Sequence, residues 1–240
     1  MPGNPLGGRA PRLPGSCPSA HASRRPGRAL LVAPLLAAGG AAYAFTATLT
    51  AASPKAIYLQ IGNGTFTGGN YTPIKNNGQP TGTPGKNTTI NTVSVSVPAA
   101  SVGNGTAQAM TTDSTAADSF WDGYAFCNLP QQLYIGGFYR TTGNGNGTVS
   151  VIATVPASLT DGAGDTLPFS QISWTSSGNG DSSTTAQPFP AGSFSGTSIN
   201  VGSIGQNTWA ESCWTFSYKN TVIPAAGTYT GVVLYTLTAP

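Results

Sequence analysis

Histidine is all but missing from this chain. The one imidazole, His21, stands near the N-terminus, and none follows it through residue 240. Ser-His-Asp and Cys-His catalysis, and metal sites built on imidazole, are thereby excluded from the body of the protein. Charge is scarce as well. Asp, Glu, Lys and Arg make up 7% of the residues, against about 25% in an ordinary soluble domain. Glu211 is the sole glutamate, beside six aspartates, which leaves little material for paired-carboxylate chemistry. No apolar run reaches the length needed to cross a bilayer as a helix. Beyond the leader, no window of about eleven residues shows 3.6-residue periodicity, so helices are not expected.

The formal charge of +3 is carried by the first residues. Arg9, Arg12, Arg24, Arg25 and Arg28 precede any acid. From residue 45 onward five basic side chains face seven acidic ones. A chain of that balance has no electrostatic footprint for nucleic acid. The basic stretch runs into Ala29-Leu30-Leu31-Val32-Ala33-Pro34-Leu35-Leu36-Ala37-Ala38, then Gly39-Gly40 and Ala41-Ala42-Tyr43-Ala44. This is the order of a secretory signal, so residues 1–44 are expected to be a signal peptide cleaved between Ala44 and Phe45. The protein is then secreted, to the periplasm or the cell surface, with no membrane span once the signal is removed. Of the three cysteines, Cys17 lies in this leader. Cys127 and Cys213 remain, and in an oxidising compartment they are expected to form a disulfide.

What the chain does have is Gly, Pro, Thr, Ser and Asn around a good supply of aromatics: four Trp, nine Tyr and nine Phe. Period-2 alternation recurs. Phe45–Thr50, Ala56–Ile61, Thr89–Val97, Leu133–Arg140, Thr148–Val155, Phe169–Thr175, Phe189–Val201, Thr208–Tyr218 and the segment from Tyr229 to Leu237 all read as strands. Gly136-Gly137 suggests a bulge in its strand. Residues 62–85 read as loop. Gly-Asn-Gly-Thr occurs at residues 62, 103 and 145, and each copy reads as a hairpin turn. The expected fold is all-β: an antiparallel β-sandwich, Ig-like or jelly-roll-like, or two small sandwiches, with roughly ten to twelve strands and one disulfide. Residues 45–117 form an N-terminal β-region and 118–240 a disulfide-linked C-terminal β-sandwich region.

Four candidate sites emerge. Trp121, Trp174 and Trp209 are candidate glycan contacts, with core packing as the competing reading. Asp161-Gly162-Ala163-Gly164-Asp165 is a candidate Ca²⁺ loop, or else a glycine-rich turn. Arg140 and Glu211 are candidates for a surface ion pair. Asp161, Asp165 and Glu211 are the acids a glycan hydrolase or lyase would use. No cofactor is expected.

A further candidate is the terminal segment Ala226-Gly227-Thr228-Tyr229-Thr230. It is followed by Val233, Tyr235 and Leu237 on one face, and Gly227 stands fourteenth from the end. It resembles the C-terminal strand of chaperone–usher pilus subunits and of spore-coat-U-like proteins. Ala239 takes the penultimate place where those subunits carry an aromatic. The resemblance implies that Gly227, Tyr229, Val233, Tyr235 and Leu237 form an assembly strand, with a periplasmic chaperone or like subunits as partners through β-augmentation. The runs Tyr124–Arg140 and Phe169–Trp174 are similar to exported bacterial proteins without an assigned activity. The expectation is an exported, non-enzymatic cell-surface structural or adhesive protein, pilin-like, the alternative being a secreted carbohydrate-binding module.

Overall fold

The computed structural model describes residues 56–64, 66–67, 83–84, 90–141, 147–178 and 186–238. The leader with its Ala44–Phe45 junction, the strand expected over Phe45–Thr50 and most of the 62–85 loop lie outside these residues. The strands, in chain order, are β1 (Ala56–Ile61), β2 (Phe66–Thr67), β3 (Thr83–Pro84), β4 (Val93–Ser94), β5 (Gln108–Ala109), β6 (Thr111–Thr112) and β7 (Gln132–Arg140). There follow β8 (Thr148–Thr154), β9 (Ser158–Thr160), β10 (Thr166–Pro168), β11 (Ile172–Ser177), β12 (Gly192–Ser193), β13 (Ser198–Gly205), β14 (Thr208–Tyr218) and β15 (Leu234–Thr238).

Two antiparallel sheets carry the fold. The first runs β1-β7-β14-β11-β12, with β5 joining β14; the second runs β13-β8-β15. Leu133, Ile135, Trp214, Phe216 and Tyr218 of the first sheet share one buried core with Val149, Val151, Ala153, Val201 and Ile204 of the second. The alternation read from the sequence is what sorts these residues, since successive side chains in a strand point to opposite faces. The expected all-β antiparallel sandwich with its Cys127–Cys213 disulfide is therefore what the chain builds. Among the described residues no helix is long and apolar enough to cross a membrane.

Local expectations fare unevenly. Gly136-Gly137 makes no bulge: β7 pairs in unbroken register with β1 on one side and β14 on the other. The glycines are there for space. A Cβ on Gly136 would run into the Tyr134 hydroxyl, and one on Gly137 into the Tyr58 carbonyl. The register shift lies instead in β13, between Asn200 and Gly202, against β8. It changes the phase so that Val201 and Ile204, three positions apart, both enter the core. Thr89–Val97 keeps its alternating exposure over the described residues, but only Val93–Ser94 is paired, to β6. Phe169–Gln171 is a 3₁₀ turn rather than the start of β11. The Gly62 and Gly103 copies of Gly-Asn-Gly-Thr are left-handed turns, with φ of 70° and 72°, and neither links strands that pair with each other.

Candidate functional site

The register of the first sheet lays a row of rings across its outer face. Tyr58 of β1 lies opposite Phe138 of β7, and Phe138 lies opposite Trp209 of β14. Centroid separations are 5.9 Å for Tyr58–Phe138 and 5.9 Å for Phe138–Trp209, with both pairs tilted by 32°. A fourth ring, Trp121, comes from the loop between β6 and β7 and meets Trp209 at 6.3 Å and 35°. Phe138 is buried beneath, whereas Trp121 is 48% exposed.

That loop covers the other end of the same face. Cys127 bridges to Cys213 of β14, and Phe120 and Phe126 pack on Tyr134 at 5.3 and 6.0 Å. Tyr134 is fully buried as a result. The loop tip turns tightly. Ser119 N–H donates to the Tyr124 carbonyl, Gly123 N–H donates to the Ser119 carbonyl, and Gly123 holds a φ of 75°. Gly admits that left-handed conformation without a Cβ clash.

Glu211 stands where the open and covered halves meet. Its Oε2 accepts hydrogen bonds from the Tyr134 hydroxyl at 2.7 Å and from Trp209 Nε1 at 2.8 Å. Its Oε1 accepts from the Ser119 hydroxyl at 2.6 Å. Ser119 Oγ in turn accepts from the backbone N–H groups of Trp121 at 3.0 Å and Asp122 at 3.1 Å. Gly136 makes this arrangement reachable, because the Tyr134 phenol lies across the space a side chain there would fill. Burial, then the Glu211 charge and the hydrogen bond to it, push the Tyr134 phenol well above its ordinary range. The Tyr58 phenol is pushed up to about 12 by burial, and its hydroxyl donates to Gln60 Oε1 at 2.7 Å.

Beside the rings opens a groove of about 750 Å³. Trp121, Trp209, Arg140, Asn207, Thr208 and Glu211 are among its walls. Asn207, at a φ of 55°, sits in the turn that carries the chain from β13 into β14. It is held there by Asn207 N–H donating to the Tyr139 carbonyl at 2.6 Å and by Thr141 N–H donating to its Oδ1 at 3.1 Å.

The residues singled out from the sequence are thus distributed as follows. Trp121 and Trp209 come together on the outer face. Trp174 does not join them: it is 4% exposed, packs on Trp214 at 5.1 Å, and donates its indole N–H to the Pro190 carbonyl at 2.9 Å. Arg140 and Glu211 line the same groove but form no ion pair; the carboxylate is bonded to Ser119, Tyr134 and Trp209. Asp161 lies far along the chain in the β9–β10 turn, where its Oδ1 accepts from the N–H groups of Ala163 at 3.0 Å and Asp165 at 2.8 Å. One oxygen of the carboxylate that the Ca²⁺ reading needs closes its own turn there. No group of three or more His, Cys, Asp or Glu that could hold a metal occurs among the described residues.

In the terminal segment, Tyr229, Val233, Tyr235 and Leu237 pack on the core while Val232 and Leu234 are exposed. Tyr235 meets Trp214 at 6.0 Å, and burial raises its phenol strongly. Gly227 lies against Asp161, and Thr230 exchanges backbone hydrogen bonds with Thr160. Regular pairing begins only at Leu234, with β15 along β8.

Tyr58, Phe138, Tyr134 and Ser119 were not singled out by sequence reasoning. Phe138 sits in a nearly continuous apolar run, so nothing local says which face it takes; only the pairing of three strands does. The usable signal was Glu211, the sole glutamate, two residues from both Trp209 and Cys213. Chemically, the arrangement offers a rigid apolar ring surface with polar groups along its rim. No protein-family model matches the chain, and neither the curated proteins nor the solved structures contain a match to it.

Proposed function

We propose that this is an exported, non-enzymatic cell-surface protein of adhesive type that binds sugar on the ring surface made by Trp121 and Trp209. The observation that carries this reading is the Trp121–Trp209 pair itself. It is a fixed, tilted contact at the mouth of a groove, with one ring half exposed. Rings held this way offer an apolar face to the C–H face of a pyranose, while rim groups such as Arg140 and Thr208 meet its hydroxyls. A non-enzymatic role is supported by the carboxylate of Glu211, which is engaged by three donors from its own chain. Covering about 60 Å² of ring face at ~25 cal/mol per Å² contributes about 1.5 kcal/mol per ring, roughly tenfold in Kd. Glycan-array screening followed by calorimetric titration tests the reading. Trp121→Ala and Trp209→Ala should each weaken binding about tenfold. Absence of binding to any array glycan at millimolar concentration would reject it.

A second reading is favoured by the position of β15, which among the described residues lies at the edge of its sheet. An edge strand is a template for pairing with another chain. On this reading like subunits, or a periplasmic chaperone, add to β15, and the pilin-like resemblance of the terminal segment has a physical counterpart. Sedimentation velocity decides it: concentration-dependent assembly abolished by Leu234→Lys supports edge pairing, and a monomer at every concentration refutes assembly with like subunits.

A further inference from the structure

We infer that Glu211 is the positioning residue of the ring surface: its one carboxylate orients both tryptophans at once and does not serve as a ligand contact. Its effect on affinity rests on the sugar reading above; its effect on the rings does not.

The geometry assigns the two arms separately. Oε2 receives the indole N–H of Trp209 at 2.8 Å, which fixes the rotation of that ring about its own side chain. Oε1 receives the Ser119 hydroxyl at 2.6 Å. With its proton so committed, Ser119 Oγ presents its lone pairs to the Trp121 and Asp122 N–H groups. The turn that carries Trp121 is thereby tied to the carboxylate through one hydroxyl. Tyr134, donating to Oε2 at 2.7 Å from a fully buried site, anchors the carboxylate from below. Hydrogen bonds to an ionised acceptor are the short, strong ones, so the carboxylate restrains both rings before any ligand arrives. An aromatic surface held in its bound orientation avoids the ordering cost of association.

The same logic predicts how variants separate. In Glu211→Gln, the indole N–H of Trp209 can only donate, so the amide oxygen must stay on that side and continue to serve Tyr134 as well. The amide NH₂ then faces Ser119, whose oxygen already accepts twice. The Trp209 arm survives and the Trp121 arm is disturbed. Ser119→Ala should likewise disturb Trp121 alone. Glu211→Ala should release both.

The test is ¹⁵N-labelled protein and the indole N–H resonances of the four tryptophans, assigned by single Trp→Phe changes. The expected result is a displaced Trp121 signal in S119A with Trp209 nearly unmoved, a displaced Trp121 signal in E211Q with Trp209 shifted only as its acceptor becomes neutral, and both strongly displaced in E211A. Affinity for an array-selected sugar should fall about three- to tenfold for each ring released. A Trp209 signal unmoved in E211A overturns the inference. So does a Trp121 signal unmoved in both E211Q and S119A. Loss of sugar affinity in E211Q with the Trp121 resonance undisplaced also overturns it, because Glu211 would then be touching the ligand. Should E211A fail to fold, E211Q and S119A still decide the matter. Failure of the sugar reading shows separately, as unaltered binding in Trp209→Ala.

Discussion

Opening the disulfide should cost more than any other change to this fold short of gutting its core. Consider the double substitution Cys127→Ala, Cys213→Ala. The bridged residues are 86 apart in sequence. The chain-entropy relation for a loop of that size gives about 4.6 kcal/mol at 25 °C. The site itself adds to this. Cys213 is fully buried and shares a small cluster with Ala116, Cys127 and Tyr134, flanked by Phe120 and Phe126. Removing two sulfurs from that cluster leaves a void worth roughly 1 kcal/mol. The total, about 5–6 kcal/mol, approaches the whole stability of many domains. The assay is equilibrium urea unfolding of the oxidised wild type and the variant, followed by tryptophan fluorescence. With a slope of about 2 kcal/mol per M, the midpoint should fall by about 2–3 M. A drop below about 0.5 M at unchanged slope would refute the reasoning. It would mean that the loop over Tyr134 is already confined in the unfolded ensemble, or that it packs on β14 equally well without the bridge.

Other outcomes follow from the same structure. Gly136→Ala should force the Tyr134 hydroxyl away from Glu211 and destabilise by about 1–3 kcal/mol; thermal unfolding by circular dichroism checks it, and an unchanged midpoint would contradict the close packing seen there. Trp174→Ala should cost about 3–5 kcal/mol as a core truncation, whereas Trp121→Ala, half exposed and packed on Trp209, should cost about 1 kcal/mol; the pair of urea melts separates core from surface tryptophan. Alkaline pH should weaken the fold. The Tyr58 phenol is raised from 10.0 to about 12 by burial, so the native state holds its proton more tightly than the unfolded state. This contribution is fully present below pH 10 and is lost as pH rises toward about 12. Unfolding midpoints taken across that range should fall in wild type and fall less in Tyr58→Phe.

Composition and alternation were enough to state the fold class. With almost no helical periodicity and abundant β-branched and aromatic residues, only sheets can bury this chain, and the alternating positions name the side that is buried. Trp214, Phe216 and Tyr218 on one face of β14 and Cys213 on the other were legible for that reason. So was the inward set Tyr229, Val233, Tyr235 and Leu237. The two remaining cysteines implied their bridge. Gly136-Gly137 was misread because a glycine pair looks the same whether it relieves backbone strain or makes room for a neighbour. The neighbour, Tyr134 reaching across toward Glu211, is a tertiary fact.

The ring surface was only half legible. Trp121 and Trp209 could be singled out, yet Trp174 looked no different from them. All three lie in or beside β-patterned segments, and burial is decided by which sheet face meets the second sheet. Strand register then put Phe138 and Tyr58 in line with Trp209, since each strand contributes one ring and no strand carries the row alone. The sequence by itself determined the exclusion of imidazole chemistry, the all-β class, the disulfide and the inward face of most strands, because these depend on residue type and on a period of two. Only the tertiary structure decided that this carboxylate, already beside the Trp209 indole on its own strand, would also meet a phenol from β7 and a hydroxyl from the loop before it. Those meetings depend on pairing between strands distant in sequence, which no local pattern records.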